Sequence, residues 1–197
     1  ITHFHPDHVS GLPNLLMGMW LMGRKTEFTV HGNSHSIERA QKMMELFEWE
    51  TWKGMYPVKF ISIPDSELAP VLENADFRVQ SSPVEHMIPT LGLRIECLKE
   101  NFTLAYSSDT NPIPATVRLA SGANILIHEA AGGAEGHSTP SEAGEIAAKA
   151  GVNTLYLIHY SLLGDTTAES MLAETKKTFP GKVVLAEDLM EIECQRN

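Results

Sequence analysis

Ile1-Thr2-His3-Phe4-His5-Pro6-Asp7-His8 opens the chain and puts three imidazoles and one carboxylate within six positions. In an extended segment, side chains two apart share a face, so His3 and His5 can reach one ion together. Pro6 cannot donate to a strand ladder and breaks the extended run. The turn that follows can aim Asp7 and His8 at a second ion a few ångströms away, a ligand division suited to a two-metal hydrolase. Imidazole nitrogens beside a hard carboxylate suit zinc, with manganese or iron as alternatives. An expression tag would repeat histidine without the interposed aspartate and would not run on into Val9-Ser10-Gly11-Leu12.

The pattern Thr-His-x-His-x-Asp-His resembles the signature of the metallo-β-lactamase superfamily. That resemblance implies an α/β fold, the αββα sandwich, in a single domain over residues 1–197. The superfamily places its first strands upstream of this motif, whereas only Ile1 and Thr2 precede His3. The expectation is therefore an N-terminally incomplete domain, with roughly one more small sheet's worth of residues before Ile1 in the intact protein.

With 197 residues and 43% hydrophobic content, the chain has ample length for a packed core. No apolar run is long enough to span a bilayer and nothing resembles a signal peptide, so no membrane partner is expected. Cys97 and Cys194 make no disulfide framework, which points to the cytoplasm. Both sit in alternating, strand-like runs and read as buried thiols. The formal charge of -10 opposes a polyanionic partner, since nucleic-acid binding relies on Lys and Arg. A small anionic ester substrate fits better than tRNA. A homodimer is expected from family habit alone.

Along the chain, Leu12 to Met22 reads as a buried, Met-rich helix or a wall beside the site, stopped by Gly23. Glu27 to His31 reads as a strand. The next stretch places Ile37, Ala40, Met43, Met44 and Phe47 on one helical stripe, with Ser34 or Ser36 as cap. His31 and His35 match no ligand spacing and read as structural. Thr51 to Tyr56 is an aromatic loop that could cover the site. Val58–Ile63 and Asp76–Gln80 read as strands, the second leading to His86. Gly92–Cys97 and Phe102–Ser107 alternate as strands with one buried face. An Asp109 just past the second stands where open α/β sheets place ligand chemistry. The bland alternative for Asp109 is a cap for a helix over Pro112–Ala120, a task Asn111 could take.

Ala123–Ile127 is an apolar run suited to a central strand, and it delivers His128-Glu129. A glycine-rich loop then carries His137. Thr139, Pro140 and Glu142 form a capping box ahead of a helix whose buried stripe is Ala143, Ile146, Ala147 and Ala150, ended by Gly151. Thr154–Ile158 is a further strand with His159 at its end. Thr166 and Glu169 suggest a second capping box and a helix to about Phe179, before closing strands at Val183–Leu185 and Met190–Glu193.

The resemblance assigns His3, His5 and His86 to one metal and Asp7, His8 and His159 to the other, with Asp109 bridging. His128-Glu129-Ala130 and His137-Ser138-Thr139 are similar to two motifs of the ribonuclease Z branch, a likeness that covers nearly the whole chain. In that branch the second motif's histidine meets the scissile phosphate and the first motif's glutamate orients it. Those roles fall here on His137 and Glu129, with Asp7 also able to accept a proton.

Two departures separate the chain from tRNA processing. Asp109 follows His86 by only 23 positions, too few for the long tRNA-gripping arm, and Tyr160-Ser161-Leu162-Leu163-Gly164 lacks the Arg-Tyr pair of the branch. The expected activity is that of a dinuclear phosphodiesterase in which a metal-bridging hydroxide attacks a small or cyclic phosphodiester. The alternatives are a tRNA 3'-end endonuclease, a lactone, thioester or sulfate-ester hydrolase of the same fold, and a non-catalytic metal-binding accessory protein.

Overall fold

A computed structural model describes residues 1–162, 164 and 166–193. Cys194, read above as a buried thiol, and Leu163 of the run after His159 lie outside the described residues. The chain divides into two compact units, Ile1–Pro64 and Asp65–Asn197.

The first unit holds α1 (Pro6–Val9), α2 (Leu12–Leu21), β1 (Phe28–Gly32), α3 (Ser34–Glu45), a 3-10 turn at Trp49–Thr51 and β2 (Val58–Ser62). β1 and β2 pair in parallel, so the chain must cross over between them, and α3 makes that crossover. Ile37, Ala40 and Met44 of the expected stripe are buried. Phe47 falls beyond the helix and is 54% exposed. The cap is Asn33, whose Oδ1 accepts from the Ser36 amide at 2.8 Å. Neither Ser34 nor Ser36 caps, because the extended backbone at Asn33 turns into the helix one residue earlier.

Two expectations fail in this unit. α2 forms as predicted but is not buried: Leu16 alone is enclosed, while Leu15, Leu21 and Met22 are 51%, 68% and 89% exposed. The helix is apolar on every side, and the core takes only the side bearing Leu12, Leu16, Met19 and Trp20. The aromatic loop is itself core. Trp52 stacks on Trp20 with ring centres 5.2 Å apart, and buried Tyr56 donates its hydroxyl to the Leu16 carbonyl at 3.1 Å.

The opening motif is held against β1. The Ile1 backbone nitrogen donates to the His31 carbonyl at 2.7 Å, and the Asn33 side-chain amide donates to the Thr2 carbonyl at 3.3 Å. A Cβ on Gly32 would come within 2.9 Å of the Ile1 carbonyl oxygen, so this close approach needs glycine.

The second unit contains β3 (Ala69–Glu73), β4 (Phe77–Val84), β5 (Thr90–Cys97), β6 (Phe102–Tyr106), α4 (Pro114–Ala120), β7 (Ile125–Glu129), α5 (Pro140–Ala150), β8 (Thr154–Ile158), α6 (Ala168–Thr175) and β9 (Lys182–Leu185). The seven strands form one mixed sheet in chain order, antiparallel from β3 to β6 and parallel from β6 to β9. Leu126, Leu155 and Leu157 pack with Ala143, Ile146 and Ala147 of α5 in a core where each enclosed leucine contributes about 1.5–3 kcal/mol. Cys97 is buried, as expected.

β3 was not expected, because Pro70 and a register shift after it obscure its alternation. The predicted box on α5 is present, with Thr139 and Glu142 each accepting from the other's amide, and left-handed Gly151 ends the helix. The box on α6 is made by Thr167 and Ser170, not Thr166 and Glu169, and the helix ends at Thr175 rather than Phe179. Met190–Glu193 is not a strand; Ile192 instead packs on the cluster of Phe102 and Ile125. The whole is the expected α/β class, a large sheet flanked by helices. Among the described residues no helix is long and apolar enough to cross a membrane.

Strand direction positions the chemistry. Two antiparallel steps make β4 parallel to β6, and β7, β8 and β9 run the same way. Their carboxyl ends therefore share one end of the sheet, where open α/β sheets bind ligands.

Candidate active site

His86 follows β4, Asp109 follows β6, Glu129 ends β7 and His159 follows β8. Asp109 is 2% exposed, with Oδ2 4.0 Å from His86 Nε2 and Oδ1 3.7 Å from His159 Nδ1. Each carboxylate oxygen thus faces a different imidazole. Ser108 and His159 adopt left-handed backbone, φ +56° and +50°, a strained conformation for non-glycine residues that clusters at functional sites. His86 Nδ1 lies 2.7 Å from the Gly136 carbonyl, so that nitrogen carries the proton and Nε2 is left to bind.

Glu129 is fully enclosed. Its Oε1 accepts from the amides of Ser138 at 2.6 Å and Thr110 at 3.4 Å, and its Oε2 accepts from the Ala131 amide at 2.8 Å. His137 Nδ1 stands 3.4 Å from Oε1. Burial pushes the Glu129 carboxyl up to about 7 against the opposing pull of the three amides. The His137 ring lies 4.8 Å from that of His86 and 5.4 Å from that of His159, centre to centre.

In the first unit the opening motif gathers its own donors. The His3 ring is 4.9 Å from His5 and 4.0 Å from His8, and His8 Nε2 is 3.3 Å from Asp7 Oδ2. His3 is completely buried. His3 and His5 lie on the extended residues before Pro6, and Asp7 and His8 on the short α1 that begins there.

These donors suit a divalent ion. His86, Asp109 and His137 each offer an atom within 4.8 Å of the others, and so do Glu129, His137 and His159. Imidazole and carboxylate without thiolate is a set that zinc, manganese or iron accepts.

Sequence reading missed the residues that hold this site together. Asn111, taken as a possible cap, instead donates to Glu85 Oε1 at 2.8 Å and accepts from the Gly136 amide at 3.1 Å. α4 starts at Pro114, and the Ile113 before it gives no side-chain cap. Ser138 Oγ donates to the Thr110 carbonyl at 2.7 Å, tying the loop after β6 to the loop before α5. The glycines around His137 were the available signal. A Cβ on Gly136, already at φ +81°, would meet His86 Nδ1 at 2.6 Å. Gly136→Ala is therefore expected to displace His86 and to cost about 1–3 kcal/mol through backbone strain, read as a lower melting temperature together with reduced metal content.

Two buried groups set an unusual pH response. His128 is lowered to about 4 by burial, while its Nδ1 donates to the Glu129 carbonyl at 2.7 Å. A lowered histidine contributes stability that is whole above 6.5 and is lost as pH falls through 4. A raised glutamate contributes stability that is whole below 4.5 and is lost as pH rises through 7. Between 4.5 and 6.5 the two slopes have opposite signs and offset. Glu129→Gln removes one of them, so urea unfolding of the metal-free variant should show stability falling with acid by up to about 1.4 kcal/mol per pH unit more than wild type in that window. Parallel curves for the two proteins would mean that Glu129 titrates as an ordinary carboxylate.

Residues 1–160 match the family model described as the beta-lactamase superfamily domain. The chain belongs to that superfamily. Among curated relatives, ribonuclease Z of Methanothermobacter thermautotrophicus is 28% identical over 250 aligned positions, covering 99% of this chain and 78% of the relative. Ribonuclease Z of Methanosarcina acetivorans is 29% identical and covers 98% and 79%. The metallo-β-lactamase fold protein YhfI from Bacillus subtilis superposes with a TM-score of 0.76 at 24% identity, over 94% of this chain and 73% of that one. The short form of human tRNase Z gives 0.74 at 24% identity, over 98% and 77%. The superfamily resemblance read from the opening motif, and the metallo-β-lactamase fold it implied, are thereby established, and the ribonuclease Z likeness extends over nearly the full chain.

Proposed function

We propose that this superfamily member is a dinuclear metal-dependent phosphodiesterase acting on a small or cyclic phosphodiester. The observation that carries the reading is the buried Glu129 carboxylate held by three amides beside His137, on the same sheet end as Asp109. His3, His5 and His86 would hold one ion, Asp7, His8 and His159 the other, and Asp109 would bridge, a division that follows the family pattern. Two such ions, with zinc the preferred metal, would supply an activated water and polarise a phosphoryl oxygen when bound.

The chain's own residues do the rest. His137 Nδ1 faces Glu129 Oε1 at 3.4 Å, an arrangement that would leave Nε2 for the substrate. There His137 steadies charge on the phosphoryl oxygens or gives a proton to the leaving oxygen. Asp7 is exposed and can accept a proton from the attacking water. The amides already filling Glu129 fix its orientation before substrate arrives, so little reorganisation is needed at the moment of reaction.

A tRNA 3'-end endonuclease is the second reading, favoured by the relatives named ribonuclease Z. Two observations weigh toward the smaller substrate. Between His86 and Asp109 lie only β5 and β6, joined by a short turn. The alignment to the Methanothermobacter relative also runs over 250 positions, more than this chain's 197 residues, so the relative carries residues absent here. A diphosphatase of the PhnP family and yeast PDE1 superpose with TM-scores of 0.67 and 0.68, at 20% and 17% identity, which speaks for fold alone. The test is hydrolysis of bis(p-nitrophenyl) phosphate and of a 3'-extended tRNA precursor by zinc- or manganese-loaded protein. Turnover of the aryl diester without tRNA cleavage is expected. Efficient tRNA cleavage would favour the second reading, and bound metal with no esterase activity would favour an accessory protein.

A further inference from the structure

Beside His159 the second unit carries a cavity of about 440 Å³, lined by Ile158, His159, Tyr160, Ala186, Glu187 and Asp188. One wall is the end of β8 and the other is the chain leaving β9, and both strands point their carboxyl ends toward the site. The walls are tied together. Tyr160 donates its hydroxyl to the Ala186 carbonyl at 2.7 Å, and the Ala186 amide donates to the Leu157 carbonyl at 2.9 Å. A turn closed by the Met190 amide on the Glu187 carbonyl at 3.1 Å presents Glu187 and Asp188, both exposed. Among the described residues neither carboxylate is paired with a cation.

The cavity is thus of small-molecule size, opens next to a candidate metal ligand, and offers an incoming group two negative charges and no positive one. Acidic and basic side chains balance within residues 1–64, so the chain's excess of -10 lies wholly in the unit that holds this cavity. A second phosphate arriving here would be repelled, and a plain alkyl group would leave the carboxylates unanswered.

We propose that this cavity receives one arm of the phosphodiester, an alcohol bearing an ammonium group, and that Glu187 and Asp188 determine that choice of substrate. The proposal rests on the phosphodiesterase reading and narrows it to a zwitterionic diester. Exposed charge pairs in water are weak and salt-screened, so the preference should be roughly tenfold at low salt and largely gone at high salt.

The probes are p-nitrophenyl phosphorylcholine and its carbon isostere, p-nitrophenyl 3,3-dimethylbutyl phosphate, which differ in one positive charge at equal shape. With metal-loaded wild type at low salt, kcat/KM for the cationic diester should exceed that for the isostere about tenfold, mainly through KM. The ratio should fall toward one at 0.5 M salt and in the Glu187→Gln/Asp188→Asn variant. A ratio near one in wild type overturns the inference while leaving the phosphodiesterase reading standing. A ratio that survives the double substitution also overturns it. Hydrolysis of neither diester overturns both.

Discussion

Replacing His137 by alanine is expected to lower phosphodiester turnover by about a hundredfold or more, the usual contribution of a positioned acid or base, while metal content stays at the wild-type level. The expectation rests on what holds His137. Its Nδ1 faces Glu129 Oε1 at 3.4 Å, and that oxygen is fixed by the Ser138 and Thr110 amides. An imidazole held through one nitrogen by a buried carboxylate keeps the other for substrate. The geometry also contains the competing possibility, since His137 offers an atom within 4.8 Å of those of His86 and Asp109 and could itself bind metal. Elemental analysis separates the two roles. Loss of metal from His137→Ala, in step with activity, would make His137 a ligand and remove it from the reaction. A fall in kcat at constant metal content, with KM little changed, is the signature of an interaction made in the transition state.

How much of this was legible beforehand follows from the kind of signal each element carries. Local chemistry was readable: the α5 capping box, Gly151 and the strands ending near Glu129 and His159 appear where the sequence placed them, because each is decided by neighbours in the chain. Signals that depend on what lies across the fold were not. α2 is apolar apart from Asn14, and nothing in its ten residues says that only the side of Leu16 finds a core. The aromatic residues from Trp52 to Tyr56 look alike whether they line a site or a core, and stacking on Trp20 decides for the core. The candidate ligands were visible as histidines and aspartates at strand ends. The residues that aim them, Gly136, Asn111 and Thr110, act through backbone atoms or single amides and leave no type-specific pattern.

Asp109→Asn should have the largest effect of any single change, because the two oxygens of Asp109 face different imidazoles, His86 at 4.0 Å and His159 at 3.7 Å. Asparagine keeps the shape but replaces one acceptor with a donor and removes the charge, so the bridge proposed between two cations would be lost while the packing is retained. Residues that merely orient metal ligands cost about 10–100-fold when mutated, and a bridging ligand should exceed the top of that range. The metal-free variant is expected to fold as well as wild type, since the substitution takes a nearly buried negative charge out of the protein. The contrast then appears on adding zinc. A ligand present at about a hundred times its dissociation constant stabilises the folded state by roughly 2.7 kcal/mol, which wild type should show as a raised melting temperature and the variant should not. Equal melting temperatures without metal, a zinc-dependent rise confined to wild type and a loss of turnover beyond about a hundredfold together identify Asp109 as a shared ligand. A variant that still binds two ions per chain, or that melts lower without metal, would show instead that Asp109 serves the backbone around Ser108 and Thr110, and that the bridging carboxylate must be sought elsewhere on this sheet end.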